Sequence, residues 1–126
     1  MGDGVMNKRI LVVEDLAVAR DFLCQVIQGL GCLLVGTADT GAKAIEAYQL
    51  HKPDLVTLDV SLPDVDGLFV LKEIKRLHPE AKVLIVTANS QEMLKKEVVS
   101  LGALGILLKP FGVKEVKEAF QNAFSV

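Results

Sequence analysis

Five short apolar runs recur along the chain, and apolar residues at helical spacing fill the intervals between them. Residues 8–13 predict a first strand. Leu16, Ala19, Phe22, Leu23, Val26, Ile27 and Leu30 then mark the inward face of a helix over about 16–30, with Gly29 and Gly31 as stop signals. Residues 32–38 predict a second strand. Thr40 is a candidate N-cap for a helix over 41–51, with Ala44, Ile45, Ala47 and Tyr48 inward and Pro53 as the stop. Residues 55–58 predict a third strand, which runs into Asp59 and a turn holding Pro63 and Gly67. Leu68, Leu71, Ile74 and Leu77 form one face of a third helix that ends before Pro79. A strand over 83–86, a helix over about 91–101 closed by Gly102, a strand over 104–108 and a helix over 113–124 complete the series. The last helix should bury Val116, Phe120 and Phe124.

The strand runs are continuously apolar rather than alternating, which is the mark of a parallel sheet covered on both faces. Five βα units with short right-handed crossovers therefore predict a doubly wound α/β sandwich. A length of 126 residues suits one compact domain, expected to be ordered over about 8–124, and no linker, repeat or low-complexity segment interrupts it. With 51% hydrophobic and 24% charged residues, the chain is globular rather than disordered. The N-terminal MGDGVMNKR has no apolar signal core and is expected to be a frayed leader. No run approaches the roughly 18 apolar residues that would cross a bilayer.

Charge narrows the partners. A net charge of −2, from 14 basic and 16 acidic residues, gives no general attraction to nucleic acid or an anionic membrane. Cys24 and Cys32 are not a CxxC pair and lie among apolar residues, which favours two small core residues in a reducing cytoplasm over a disulfide or a metal site.

The strand ends carry the chemistry. Ligands of open α/β sheets bind beyond the carboxyl ends of the strands. Glu14, Asp15, Asp59, Thr87 and Lys109 each follow an apolar strand closely, so all should meet at that rim. Carboxylates brought together repel unless a cation is present. An all-oxygen donor set favours a hard ion, with Mg²⁺ the natural candidate and Mn²⁺ a substitute. A metal held by acids beside a lysine and a threonine hydroxyl suits phosphoryl chemistry, with one carboxylate as the nucleophile.

The stretches ILVVED, DLVTLDVSLPDVDGL, VLIVTAN and ILLKPF, in that order and each at a strand end, resemble the receiver domain of two-component response regulators, most of all the single-domain chemotaxis type. The resemblance spans about residues 8–124. It implies a flavodoxin-like fold with strand order 2-1-3-4-5. It also implies that Asp59 accepts a phosphoryl group from a histidine kinase or phosphotransfer protein. Asp15 would bind Mg²⁺ directly, Glu14 through water, and the Ser61 carbonyl would complete the protein's share of the shell. Thr87, Lys109 and the Ala88 N–H would bind phosphoryl oxygens, and the Lys109–Pro110 bond would be cis. Ser61 and Asn89 occupy positions that tune the lifetime of the phosphoryl group. Ile106 stands where the family usually carries an aromatic switch residue, so a ring-swing readout is not available here. The implied output surface is the face made by the fourth helix, fifth strand and fifth helix, and the implied state is a monomer or a phosphorylation-induced dimer.

Taken singly, each site residue has a plain structural reading: Asp59 as a turn residue, Glu14–Asp15 as a solvated pair at a helix start, Lys109 as a surface lysine, Thr87 as a strand residue. Their joint placement overturns these readings. Asp64 and Asp66 remain turn residues, with Asp66 a candidate cap for the helix that Gly67 opens. His51 and His78 are expected at solvated helix ends. Other readings of the fold fit less well. A flavin carrier needs a Ser/Thr/Gly-rich loop where Glu14–Asp15 stands. A dehalogenase-type phosphatase needs a second aspartate where Ser61 stands, and no Walker glycine loop is present. A docking module that works unphosphorylated, and a receiver excised from a longer transcriptional or enzymatic regulator, stay open.

Overall fold

The computed structural model describes residues 4–125. Ten elements alternate: β1 (Arg9–Val13), α1 (Ala17–Gly29), β2 (Leu33–Ala38), α2 (Gly41–His51), β3 (Leu55–Asp59), α3 (Gly67–Leu77), β4 (Val83–Thr87), α4 (Glu92–Ser100), β5 (Gly105–Leu108) and α5 (Val113–Phe124). The strands form one parallel sheet in the order β2-β1-β3-β4-β5. This is the doubly wound architecture expected from the continuous apolar runs. The central strands β3 and β4 are buried at every position, whereas the edge strand β2 is mostly half-exposed. The β1–β2 register jumps between Ile10 and Leu11, which pair with Leu34 and Gly36, so Val35 is the extra residue of a bulge.

Alternation along each strand divides the core into two layers. Leu11 and Val13 pack with Ala44 and Tyr48 of α2, Val70, Leu71 and Ile74 of α3, and Val98 of α4. Ile10 and Val12 pack on the other face with Leu23, Val26 and Ile27 of α1 and Val116 and Phe120 of α5. The helix starts use the expected caps. Thr40 Oγ1 accepts from the Lys43 N–H at 3.1 Å and Asp66 Oδ1 accepts from the Leu68 N–H at 2.9 Å. Gly102 follows α4 at φ +101°, a left-handed conformation that a side chain would oppose.

Three local expectations change. The leader is not frayed throughout: Val5 is fully buried in the α1/α5 layer, and the Asn7 N–H donates to the Gly31 carbonyl at 2.8 Å. Residues 1–3 lie outside the described part of the chain. Leu16 and Phe22 share the helical period of the α1 core residues but are 59% and 40% exposed. Leu16 is the N-cap of α1, and Phe22, midway along the helix, has its ring 6.0 Å from that of Phe111 in the loop after β5. His78 is not a solvated terminus either: its ring lies 4.8 Å from that of Tyr48 and its Nε2 is buried.

Candidate functional site

β1, β3 and β5 end at the same rim of the sheet, and each delivers one member of a compact charge cluster. Glu14 follows β1, Asp59 closes β3 and Lys109 follows β5. Glu14 and Asp59 are each only 3% exposed. Lys109 Nζ lies 2.8 Å from Glu14 Oε1 and 2.9 Å from Asp59 Oδ2, so one ammonium bridges two buried carboxylates. Asp15 is half-buried, and one carboxylate oxygen from each of Glu14, Asp15 and Asp59 lies within 4.8 Å of the other two.

Main-chain donors fix the two buried acids. The Ser61 N–H donates to Asp59 Oδ1 at 2.7 Å and the Leu16 N–H to Glu14 Oε2 at 3.2 Å. Burial pushes the Glu14 carboxyl above the usual carboxylate range, and the neighbouring Asp59 adds to the push; Lys109 and the Leu16 N–H oppose it without winning. Burial pulls the Lys109 ammonium down, but its hydrogen bonds to Glu14 and Asp59 outweigh that and raise its pKa. The site therefore holds negative charge that a single lysine does not neutralise.

β4 supplies the remaining wall. Asp59 is paired in the sheet with Val86, which places Thr87 one residue beyond it at the rim. Thr87 is buried, and its Oγ1 accepts from the Asn89 N–H at 3.0 Å. Ala88 is exposed beside it, and the Lys109–Pro110 peptide bond is cis. Ile106 is half-buried in β5 and lines a cavity of about 120 Å³ with Asn89, Ser90, Gln91, Lys95 and Leu108.

Sequence reasoning treated Asp64 as a plain turn residue. Its two carboxylate oxygens accept from the Gly41 and Ala42 N–H groups at 2.8 and 3.1 Å, so it caps α2 from the β3–α3 loop. These bonds to the helix start hold its carboxyl below the usual range. An aspartate one residue past a proline gives no hint of a target 23 positions away. Also unforeseen is an apolar depression of about 780 Å³ beside the acidic pocket, formed by Leu16, Val18, Phe22, Ala88, Pro110 and Phe111 among others. Lys109 lines both.

Residues 10–121 match the response regulator receiver domain family. The chemotaxis protein CheY of Bacillus subtilis (strain 168) is 35% identical over 120 residues, which cover 95% of this chain and 100% of that protein. The CheY protein of Thermotoga maritima is 37% identical over 93% of this chain and 98% of its own length. Among solved structures, the fold is similar to a chain of the CheX–CheY–BeF3–Mg complex from Borrelia burgdorferi, with a TM-score of 0.92, 27% identity and 96% of each chain covered. Since the family match reaches from the second residue of β1 well into α5, the chain belongs to the response regulator receiver domain family.

Proposed function

We propose that the protein is a phosphorylation-dependent signalling switch in which Asp59 accepts a phosphoryl group and a protein-binding surface responds. The observation that carries this reading is the meeting of Glu14, Asp15, Asp59 and Lys109 at one rim of the sheet. Three carboxylate oxygens within 4.8 Å, with no nitrogen or sulfur donor among them, fit a hard dication such as Mg²⁺. Glu14, Asp15, Asp59 and the Ser61 carbonyl would hold it. When bound, Mg²⁺ neutralises the acids and draws charge from phosphoryl oxygens.

The protein's own groups account for the rest of the step. An Asp59 carboxylate oxygen attacks phosphorus and forms a P–O bond, while the bond to the leaving group breaks. That bond is P–N when the donor is a phosphohistidine and P–O when it is acetyl phosphate. The electron pair leaves with the imidazole, which takes up a proton, or with acetate. Lys109 turns from bridging two carboxylates to pairing with phosphoryl oxygens, assisted by Thr87 and the Ala88 N–H. The product is an acyl phosphate on Asp59, which water later cleaves.

The donor histidine must reach Asp59 past Ala88 and Lys109, and the apolar depression adjoins that entrance. Leu16, Val18 and Phe22 are exposed there at 59%, 84% and 40%, enough apolar surface to seat a helix of the phosphohistidine protein. Val18→Glu should therefore leave phosphorylation by acetyl phosphate unchanged. It should slow transfer from an ATP-charged histidine kinase by about tenfold, equivalent to ~1.4 kcal/mol of docking energy. Equal slowing with both donors would place the effect in the site instead.

The output surface is assigned to α4, β5 and α5, where Met93, Val99, Leu108 and Val113 are exposed. Ile106 replaces a ring swing with a smaller repacking against the adjoining cavity. Intact-mass measurement after incubation with acetyl phosphate tests the proposal. One added phosphoryl group with Mg²⁺ and none with a chelator is the expected pair. Equal labelling under both conditions, or none under either, contradicts it.

A further inference from the structure

Lys109 secures Glu14 and Asp59, yet Asp15 must be placed by its main chain, and the group gripping that main chain comes from α1. Arg20 Nη1 donates to the Glu14 carbonyl at 3.0 Å and to the Asp15 carbonyl at 3.4 Å. The turn is also tied at its start, where the Glu14 N–H donates to the Ala38 carbonyl at 2.9 Å. The Glu14 and Asp15 carboxylates on this turn repel each other and the facing Asp59 of β3, which pushes the turn open. A permanently charged, rigid guanidinium on the two carbonyls opposes that push from behind.

We propose that Arg20 is a positioning residue that clamps the Glu14–Asp15 turn from outside the pocket and so sets divalent-cation affinity. It does this without touching a reacting atom. The inference rests on the metal-site reading above. Arg20 is half-buried and borders a polar depression of about 220 Å³ lined also by Thr37, Ala38, Asp39 and Lys43. Asp39 is paired with Lys43 at 3.2 Å, so it retains a cation when Arg20 is replaced. Because Arg20 itself lines this polar depression, water entering from it can take the place of the guanidinium at the two carbonyls, so the fold should survive the substitution.

Calorimetric Mg²⁺ titration of the wild type, Arg20→Met and Arg20→Lys tests the clamp. Loss of an outer-shell partner weakens metal binding by about 10–100-fold, and this is the increase in Kd expected for Arg20→Met. Arg20→Lys keeps the charge and one donor and should recover part of the loss. At saturating Mg²⁺, all three proteins should be phosphorylated by acetyl phosphate at the same rate, because the defect lies in affinity alone. A Kd for Arg20→Met within about twofold of wild type overturns the clamp, since it falls well short of the outer-shell effect. So does a rate deficit that persists at saturation. A wild type that binds no Mg²⁺ overturns the metal-site reading itself, and the wild-type titration separates that failure from failure of the clamp.

Discussion

Lys109→Met is expected to move two properties in opposite directions: Mg²⁺ should bind more tightly, while phosphorylation at saturating Mg²⁺ slows by about 10²–10³-fold. The ammonium sits 2.8 Å from Glu14 and 2.9 Å from Asp59, where it competes with any dication for the same oxygens. Without it the pocket carries more uncompensated negative charge, and the cation gains. In the transition state the loss reverses sign. Charge spreads over the phosphoryl oxygens, and the group positioned to meet it is missing. Removing one such preorganised donor costs about 3–4 kcal/mol of barrier.

Stability should follow the same logic. Without a divalent cation, Lys109→Met leaves two nearly buried carboxylates facing one another, at a cost of roughly 3 kcal/mol that protonation of Glu14 relieves in part. Mg²⁺ should restore the melting temperature of the variant more than it raises that of the wild type. Calorimetry for affinity, a phosphorylation time course for rate and thermal melts with and without Mg²⁺ check the three expectations together. Weaker Mg²⁺ binding in the variant would show that Lys109 supports the metal site instead of competing with it.

Gly67→Ala should have the next largest effect, and it acts through backbone contact. A methyl group at Gly67 would fall against Val60 Cα and within 2.5 Å of the Asp59 carbonyl oxygen. Both are main-chain atoms, so no rotamer change makes room. The Gly67 N–H also donates to the Val60 carbonyl at 2.9 Å, and Ser61 bridges to Asp66 just outside it. The start of α3 is therefore pressed directly onto the loop that follows Asp59. Overpacking of this kind costs about 1–3 kcal/mol, and the rigid contact places this site at the upper end. Because the same loop supplies the Ser61 N–H to Asp59, phosphorylation should slow as well. Denaturant unfolding with an unchanged m-value and a lower midpoint would register the first effect, and acetyl phosphate labelling the second.

The strand ends were legible because each combines two strong signals, a continuous apolar run and a charge directly after it. A parallel sheet puts all such ends on one edge, so Glu14, Asp15, Asp59 and Lys109 could be grouped without coordinates. Asp66 and Thr40 were readable as caps because their targets lie two and three residues away. Arg20 and Asp64 were not, since their main-chain partners lie five and six residues away for Arg20 and 22 and 23 away for Asp64, outside the fixed local spacing of a helix cap. Leu16 and Phe22 show a different limit. Helical spacing reveals which residues share a stripe but not how far along the helix the neighbouring elements extend to cover it. Val5 was hidden because an isolated Val5–Met6 pair between Gly4 and Asn7 has no period at all.

Reduction with borohydride after phosphorylation bears most directly on the central assignment, because it converts an acyl phosphate on aspartate to homoserine and leaves a permanent mark at the site. Peptide mapping of protein treated with acetyl phosphate and Mg²⁺ should find homoserine at position 59 and nowhere else, with Asp59→Asn unmarked. A mark on Glu14, Asp15 or any other carboxylate of the wild type, or an unchanged yield when Mg²⁺ is chelated, would contradict the account.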